Sequence, residues 1–132
     1  MSPSIDRMCN ASLDVYLRQE VDDGRGGDVW THGYAKDPVE APNQSGVRCR
    51  IHAASRSEQM NAGKDSTEVS HKLFMVPRAA GSTPIKRDDH VVVRYDQGNA
   101  PAKLFRVLTE LDISDRSVYE RWYVQDLGDF DG

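Results

Sequence analysis

Polar and apolar residues alternate along much of this chain, with the two-residue period of half-buried β-strands. Val69, His71 and Leu73 face one way, and Ser70, Lys72 and Phe74 the other. Pro77 ends that strand, because a proline has no N–H to give to a ladder. Ala79 to Pro84 reads as a loop, and Lys86 to His90 as a turn feeding a second strand, Val91-Val92-Val93. Upstream, Ser12–Val21 is open to helix or strand, and the alternation of Leu13, Val15 and Leu17 favours a strand. Asp22 to Asp28 then holds Gly24, Gly26 and Gly27, a turn signal, and Val29 to Tyr34 returns as the other half of a hairpin. Pro38 and Pro42 mark a crossing loop. Gly46 to Ala54 puts Val47, Cys49, Ile51 and Ala53 on one face and Arg48, Arg50 and His52 on the other. Ala102 to Leu111 is apolar on both faces, through Leu104, Phe105, Val107 and Leu108, as in a central strand. Tyr119 to Leu127 alternates again, with Glu120, Trp122, Val124 and Asp126 opposite Tyr119, Arg121, Tyr123 and Gln125.

These segments predict an all-β protein, a small antiparallel barrel or sandwich of about six or seven strands with long loops. Residues 1–11 are read as a flexible N-terminal arm, 12–127 as the single domain, and 128–132 as an acidic tail. One segment breaks the pattern. Ser55, Arg56, Ser57, Glu58, Gln59, Met60, Asn61, Ala62, Gly63, Lys64, Asp65 and Ser66 contain a single large apolar side chain, Met60. A stretch that long between two strands is usually functional or disordered. It has room for a brief helical turn from Ser57 to Met60.

Composition narrows the partners. The chain of 132 residues carries a net charge of -4, with 38% hydrophobic and 29% charged residues. That is one domain with a thin core, and its sign is wrong for a protein held to nucleic acid by phosphate contacts. No apolar run nears the roughly 20 residues that span a bilayer, so no membrane partner is expected. Arg7 is followed by no apolar stretch, so no signal peptide is expected. Cys9 and Cys49 lack metal or redox spacing and read as reduced, partly buried thiols. His32, His52, His71 and His90 sit on separate strands, without the close spacing of preassembled metal sites. No serine occupies a nucleophile elbow, and the glycine cluster lacks the Lys-Ser/Thr of a phosphate loop. No catalytic residue, metal or cofactor is therefore expected. A basic set, Arg48, Arg50, Arg56, Lys64, Arg78, Lys86 and Arg87, with Trp30, Tyr34 and Phe74, keeps open a barrel that binds single-stranded nucleic acid.

The order of motifs resembles the head–tail adaptor family of tailed bacteriophages, the head-closure or stopper proteins. The residues that carry the likeness are Val69-Ser70-His71-Lys72-Leu73-Phe74-Met75-Val76-Pro77, then Ile85-Lys86-Arg87-Asp88-Asp89-His90-Val91, then Phe105-Arg106-Val107. The Asp22–Trp30 stretch resembles the family's first hairpin. Asp88 stands where the family has a turn glycine, and His90 where it has arginine. The resemblance implies a β-barrel subunit of a six- or twelve-fold ring in the neck of the virion, assembled in the host cytoplasm. Such a ring joins the portal or adaptor protein to a tail-terminator or tail-tube protein. It retains packaged DNA, which passes through the channel without sequence-specific contact. A tail-terminator or tail-completion ring is the sibling reading. On this resemblance the Ser55–Ser66 segment is the channel-facing gating loop. Trp30, Trp122 and Tyr123 are candidates either for subunit anchors or for ordinary core.

Overall fold

A computed structural model of the protein describes residues 9–22, 28–32, 42–63, 67–77, 82–111 and 120–130. In chain order the elements are β1 (Ala11–Tyr16), β2 (Arg18–Asp22), β3 (Asp28–His32), β4 (Gln44–Ala53), α1 (Arg56–Asn61), β5 (His71–Met75), β6 (His90–Tyr95), β7 (Lys103–Leu111) and β8 (Glu120–Asp129). β1, β4, β5, β8, β7 and β6 close into a barrel in that order, every pair antiparallel. β2 and β3 form a separate two-stranded ribbon, with Asp22 opposite Asp28. The expected small antiparallel β-barrel is therefore what the chain forms.

Alternation along each strand builds the interior. Leu13, Val15, Cys49, Ile51, Leu73, Met75, Val91, Val93, Phe105, Val107, Trp122 and Val124 all point inward and are buried. Burying one large aliphatic or aromatic side chain contributes about 1.5–3 kcal/mol. Closure leaves the six barrel strands without long unpaired edges, the weakness of an open sheet.

The alternation did not reveal that parts of the outer surface are apolar too. Val92, Leu104 and Tyr16 are buried on the outside of β1, β6 and β7. Leu108 and Tyr123 are buried on the outside of β7 and β8, together with Val69 and Ala62. This accounts for the two-faced hydrophobicity of Ala102–Leu111. β7 is apolar on both sides because short segments cover its outer face.

Three boundaries differ from the sequence reading. The expected strand Ser12–Val21 is two strands, broken at Leu17. There the Leu17 N–H donates to Asn43 Oδ1 at 2.8 Å, and Asn43 N–H donates to the Val15 carbonyl at 2.7 Å. β1 thus stays in the barrel while β2 leaves it. The last residues of the expected N-terminal arm belong to the fold, because Asn10 is tied down and Ala11 opens β1. The Asn10 side-chain amide donates to Ile51 O at 2.9 Å and accepts the Ile51 N–H at 3.0 Å, as a strand residue would. Residues 1–8 lie outside the described part. At the other end β8 runs on to Asp129, and Phe130 folds against the barrel instead of forming a polar tail.

Candidate functional site

The Ser55–Ser66 segment is structured as far as Gly63, and the remaining Lys64, Asp65 and Ser66 lie outside the described residues. Ser55 is the N-cap of α1 in a capping box: Glu58 N–H donates to Ser55 Oγ at 3.2 Å, and Ser55 N–H donates to Glu58 Oε1 at 3.0 Å. The Ser-Arg-Ser-Glu spacing is the sequence signature of this motif, and it was available in the chain. Gly63, at φ +62°, ends the helix in the left-handed conformation that favours glycine. One side of α1 is docked. Glu58 Oε2 meets Lys72 Nζ at 3.1 Å, and Gln59 Nε2 donates to Val69 O at 3.1 Å. Ala62 is buried among Val69, Leu108 and Tyr123. The Ser55 backbone N–H and the Lys72 ammonium hold the Glu58 carboxyl down to about 2. The other side faces solvent, with Arg56, Ser57 and Asn61 exposed and Met60 69% exposed.

Next to α1, Ser70 and His71 join β5 to β8. The Ser70 hydroxyl accepts the Asp126 N–H at 2.7 Å and lies 3.3 Å from Val124 O and 2.9 Å from His71 Nδ1. The His71 ring meets Phe105 edge-on, with centroids 5.0 Å apart. Burial lowers the His71 pKa below its ordinary value, so the neutral ring is favoured. A serine beside a histidine has the elements of a nucleophile and base. Here the hydroxyl, just before β5, accepts the Asp126 N–H of β8 and so helps to close the barrel.

The loop from Lys86 to Asp89 is a tight turn. Lys86 N–H donates to Asp89 Oδ2 at 2.7 Å, and Asp89 N–H to Lys86 O at 3.1 Å. Backbone bonds of 2.8 Å tie the turn to Val107: Asp88 N–H donates to Val107 O, and Val107 N–H donates to Asp89 O. Asp88 has φ +73° and is the non-glycine residue in the left-handed region among those described. Asp tolerates this region better than most residues because its short polar side chain bonds locally. Arg106 spans the site, with Nη2 2.6 Å from Glu68 and Nη1 3.3 Å from Asp88.

The three aromatic candidates separate. Trp122 lies inside the barrel and Tyr123 is buried outside it with Ala62, Val69 and Leu108, so both are core of this chain. Trp30 lies on the ribbon, opposite Glu20. Part of the basic set is paired. Arg48 makes a two-bonded contact to Asp96 at 2.7 and 2.6 Å, which holds the Asp96 carboxyl below its usual range. Arg94 pairs with Asp14, and Lys103 with Asp126 and Asp129. Phe74 stacks on His52 at 5.9 Å, with Lys72 Nζ 5.2 Å from its centroid. Lys64, Arg78 and Tyr34 lie outside the described residues. Among the described residues no three His, Cys, Asp or Glu side chains gather as a metal site, and no helix is long and apolar enough to cross a membrane.

No protein-family model matches this chain, and no curated protein matches it either.

Proposed function

We propose that this chain is a structural subunit of the neck of a tailed bacteriophage, a head-closure ring that connects portal or adaptor to tail and retains packaged DNA. The observation that carries the reading is the backbone of Asp88. The resemblance puts a turn glycine at this position, and φ here is +73°, the conformation that glycine adopts most readily. The substitution is the kind the turn tolerates, which supports the alignment of the Ile85–Val91 motif. The closed barrel and the Ser70–His71 join at the start of β5 support it further.

In this reading the barrel is the rigid wall of the ring and the ribbon is its adhesive part. Among the described residues the β2–β3 ribbon pairs with no barrel strand, and a two-stranded ribbon alone is marginal in water. Neighbouring subunits would supply the missing partners. The Ser55–Gly63 part of the expected gating loop acts as a fixed lip, because α1 is capped and docked. The tail-terminator role is the sibling within this class. The nucleic-acid-binding reading is less favoured, because Arg48, one of the cations it gathers, is already engaged by Asp96.

Immuno-electron microscopy of particles assembled with a peptide-tagged copy tests the proposal. Label at the head–tail junction is expected. Label elsewhere on the particle, or particles without the chain, overturns it. Capture of a portal-side protein or of a tail-tube protein by the tagged chain then separates closure from termination.

A further inference from the structure

On the outside of the barrel, β1, β6 and β7 form an apolar seat of Tyr16, Val92 and Leu104, with Ala102 packed against it. Phe130 occupies it. Its N–H donates to Ala102 O at 2.8 Å, and its ring lies 6.1 Å from that of Tyr16 at a tilt of 52°. One residue upstream, Asp129 Oδ1 lies 3.8 Å from Lys103 Nζ. The seat thus reads an acidic residue followed by an aromatic one, on a strand end that extends the β7 ladder.

Phe130 reaches the outside because of a bulge. In β8, Trp122 and Val124 point inward, and strict alternation would send residue 130 inward as well. The β7 register shifts between Phe105, opposite Asp126, and Leu104, opposite Gly128, so that Leu127 is an extra residue. Gly128 takes φ +107°, and its N–H is satisfied by Asp126 Oδ1 at 2.7 Å. After the bulge the strand faces the other way, and Phe130 falls on the outer seat.

We propose that this seat is a receptor for the C-terminal segment of a second copy of the chain, and that Phe130 fills it in cis in the isolated protein. The pairing of β5 with β8 ends at Val124, opposite His71, so β8 from Leu127 onward is backed by β7 on one side. A strand end held on one side opens locally more easily than the core. A second copy offers the same segment with the same contacts, which makes exchange between copies the low-cost route to association. The inference does not depend on the neck reading and holds for any self-assembling role.

The test uses a fluorescent peptide of residues 127–132 and the full-length chain. The peptide is expected to bind Phe130→Ala chain about tenfold more tightly than intact chain, as for a seat that is open about a tenth of the time. The same peptide with alanine for Phe130 is expected not to bind. Equal binding to both chains, or binding that ignores the aromatic residue, overturns the receptor. Sedimentation velocity of intact chain over a wide concentration range needs no variant and addresses the second copy. Mass that rises with concentration and falls on adding excess unlabelled peptide is expected. A mass that remains that of one chain, or an association indifferent to peptide, overturns the exchange.

Discussion

Replacing Asp88 by glycine and by alanine separates backbone geometry from charge at the turn on which the functional reading rests. Both variants lose the 3.3 Å contact to Arg106, whose two sides are 27% and 31% exposed, a loss of about 0.5 kcal/mol. Glycine also relieves the strain of a Cβ at φ +73°, but it adds freedom to the unfolded chain; each effect is about 0.7 kcal/mol, and the two cancel. Alanine keeps the Cβ and loses the polar group that eases it, a further loss of about 1 kcal/mol. Asp88→Gly is therefore expected to be about 0.5 kcal/mol less stable than the parent and Asp88→Ala about 1.5. For 132 residues the unfolding entropy is about 0.28 kcal/mol/K, so the gap between variants is about 4 °C in Tm. Thermal unfolding by circular dichroism, with urea titrations to check that the slope is unchanged, measures it. If the alanine variant is as stable as the glycine variant, the left-handed turn is wrong, and with it the main support for aligning Asp88 with a turn glycine.

Leu108→Ala should cost about 3 kcal/mol by urea unfolding, although Leu108 is on the outer face, because its side chain is buried among Ala62, Val69 and Tyr123; a loss under about 1 kcal/mol would mean that this outer cluster does not cover it. Acid should weaken the fold in two stages. The folded state disfavours the His71 imidazolium, so the unfolded chain takes up that proton first, and stability is present above pH 6.5 and is lost as the pH falls below it. Glu58 is held to about 2 against an ordinary 4.5, so its contribution is present above pH 4.5 and is lost on further acidification toward 2. Urea midpoints between pH 7 and 5 should slope less in His71→Gln than in the parent; identical slopes would remove His71 from this account. Burial pushes the Cys49 thiol up to about 12, so mass spectrometry should find it unalkylated in native protein and modified in urea. Rapid native alkylation of Cys49 would place it outside the core.

The docked state of the Ser55–Gly63 segment shows where local signals were legible and where they stopped. Its capping box spans four consecutive residues and could be read directly. Its contacts with Val69, Lys72 and Leu108 link positions far apart in the chain, so no window along the sequence contains them. Phe130 is the same case. A polar tail with one aromatic residue looks unstructured until the bulge at Gly128 turns it outward onto Tyr16. Trp122 and Tyr123 are adjacent aromatic residues with equal claim to be interface or core. Only the register of β8 sends one inward and puts the other in the outer cluster with Val69 and Leu108.

The sequence by itself determined the β-class, the pairing of the strands on either side of Asp22 and Asp28, and the inward faces of the strands that bear Ile51 and Leu73. Each of these follows from a two-residue period or from local turn chemistry, which acts between neighbours in the chain. Only the tertiary structure decided that six strands close into a barrel while β2 and β3 stand apart, that two outer patches are covered, and that Asp88 is left-handed. Strand order, bulges and satellite clusters are set by which distant segments reach the same surface, and that balance of non-local contacts is not written in the spacing of any one stretch.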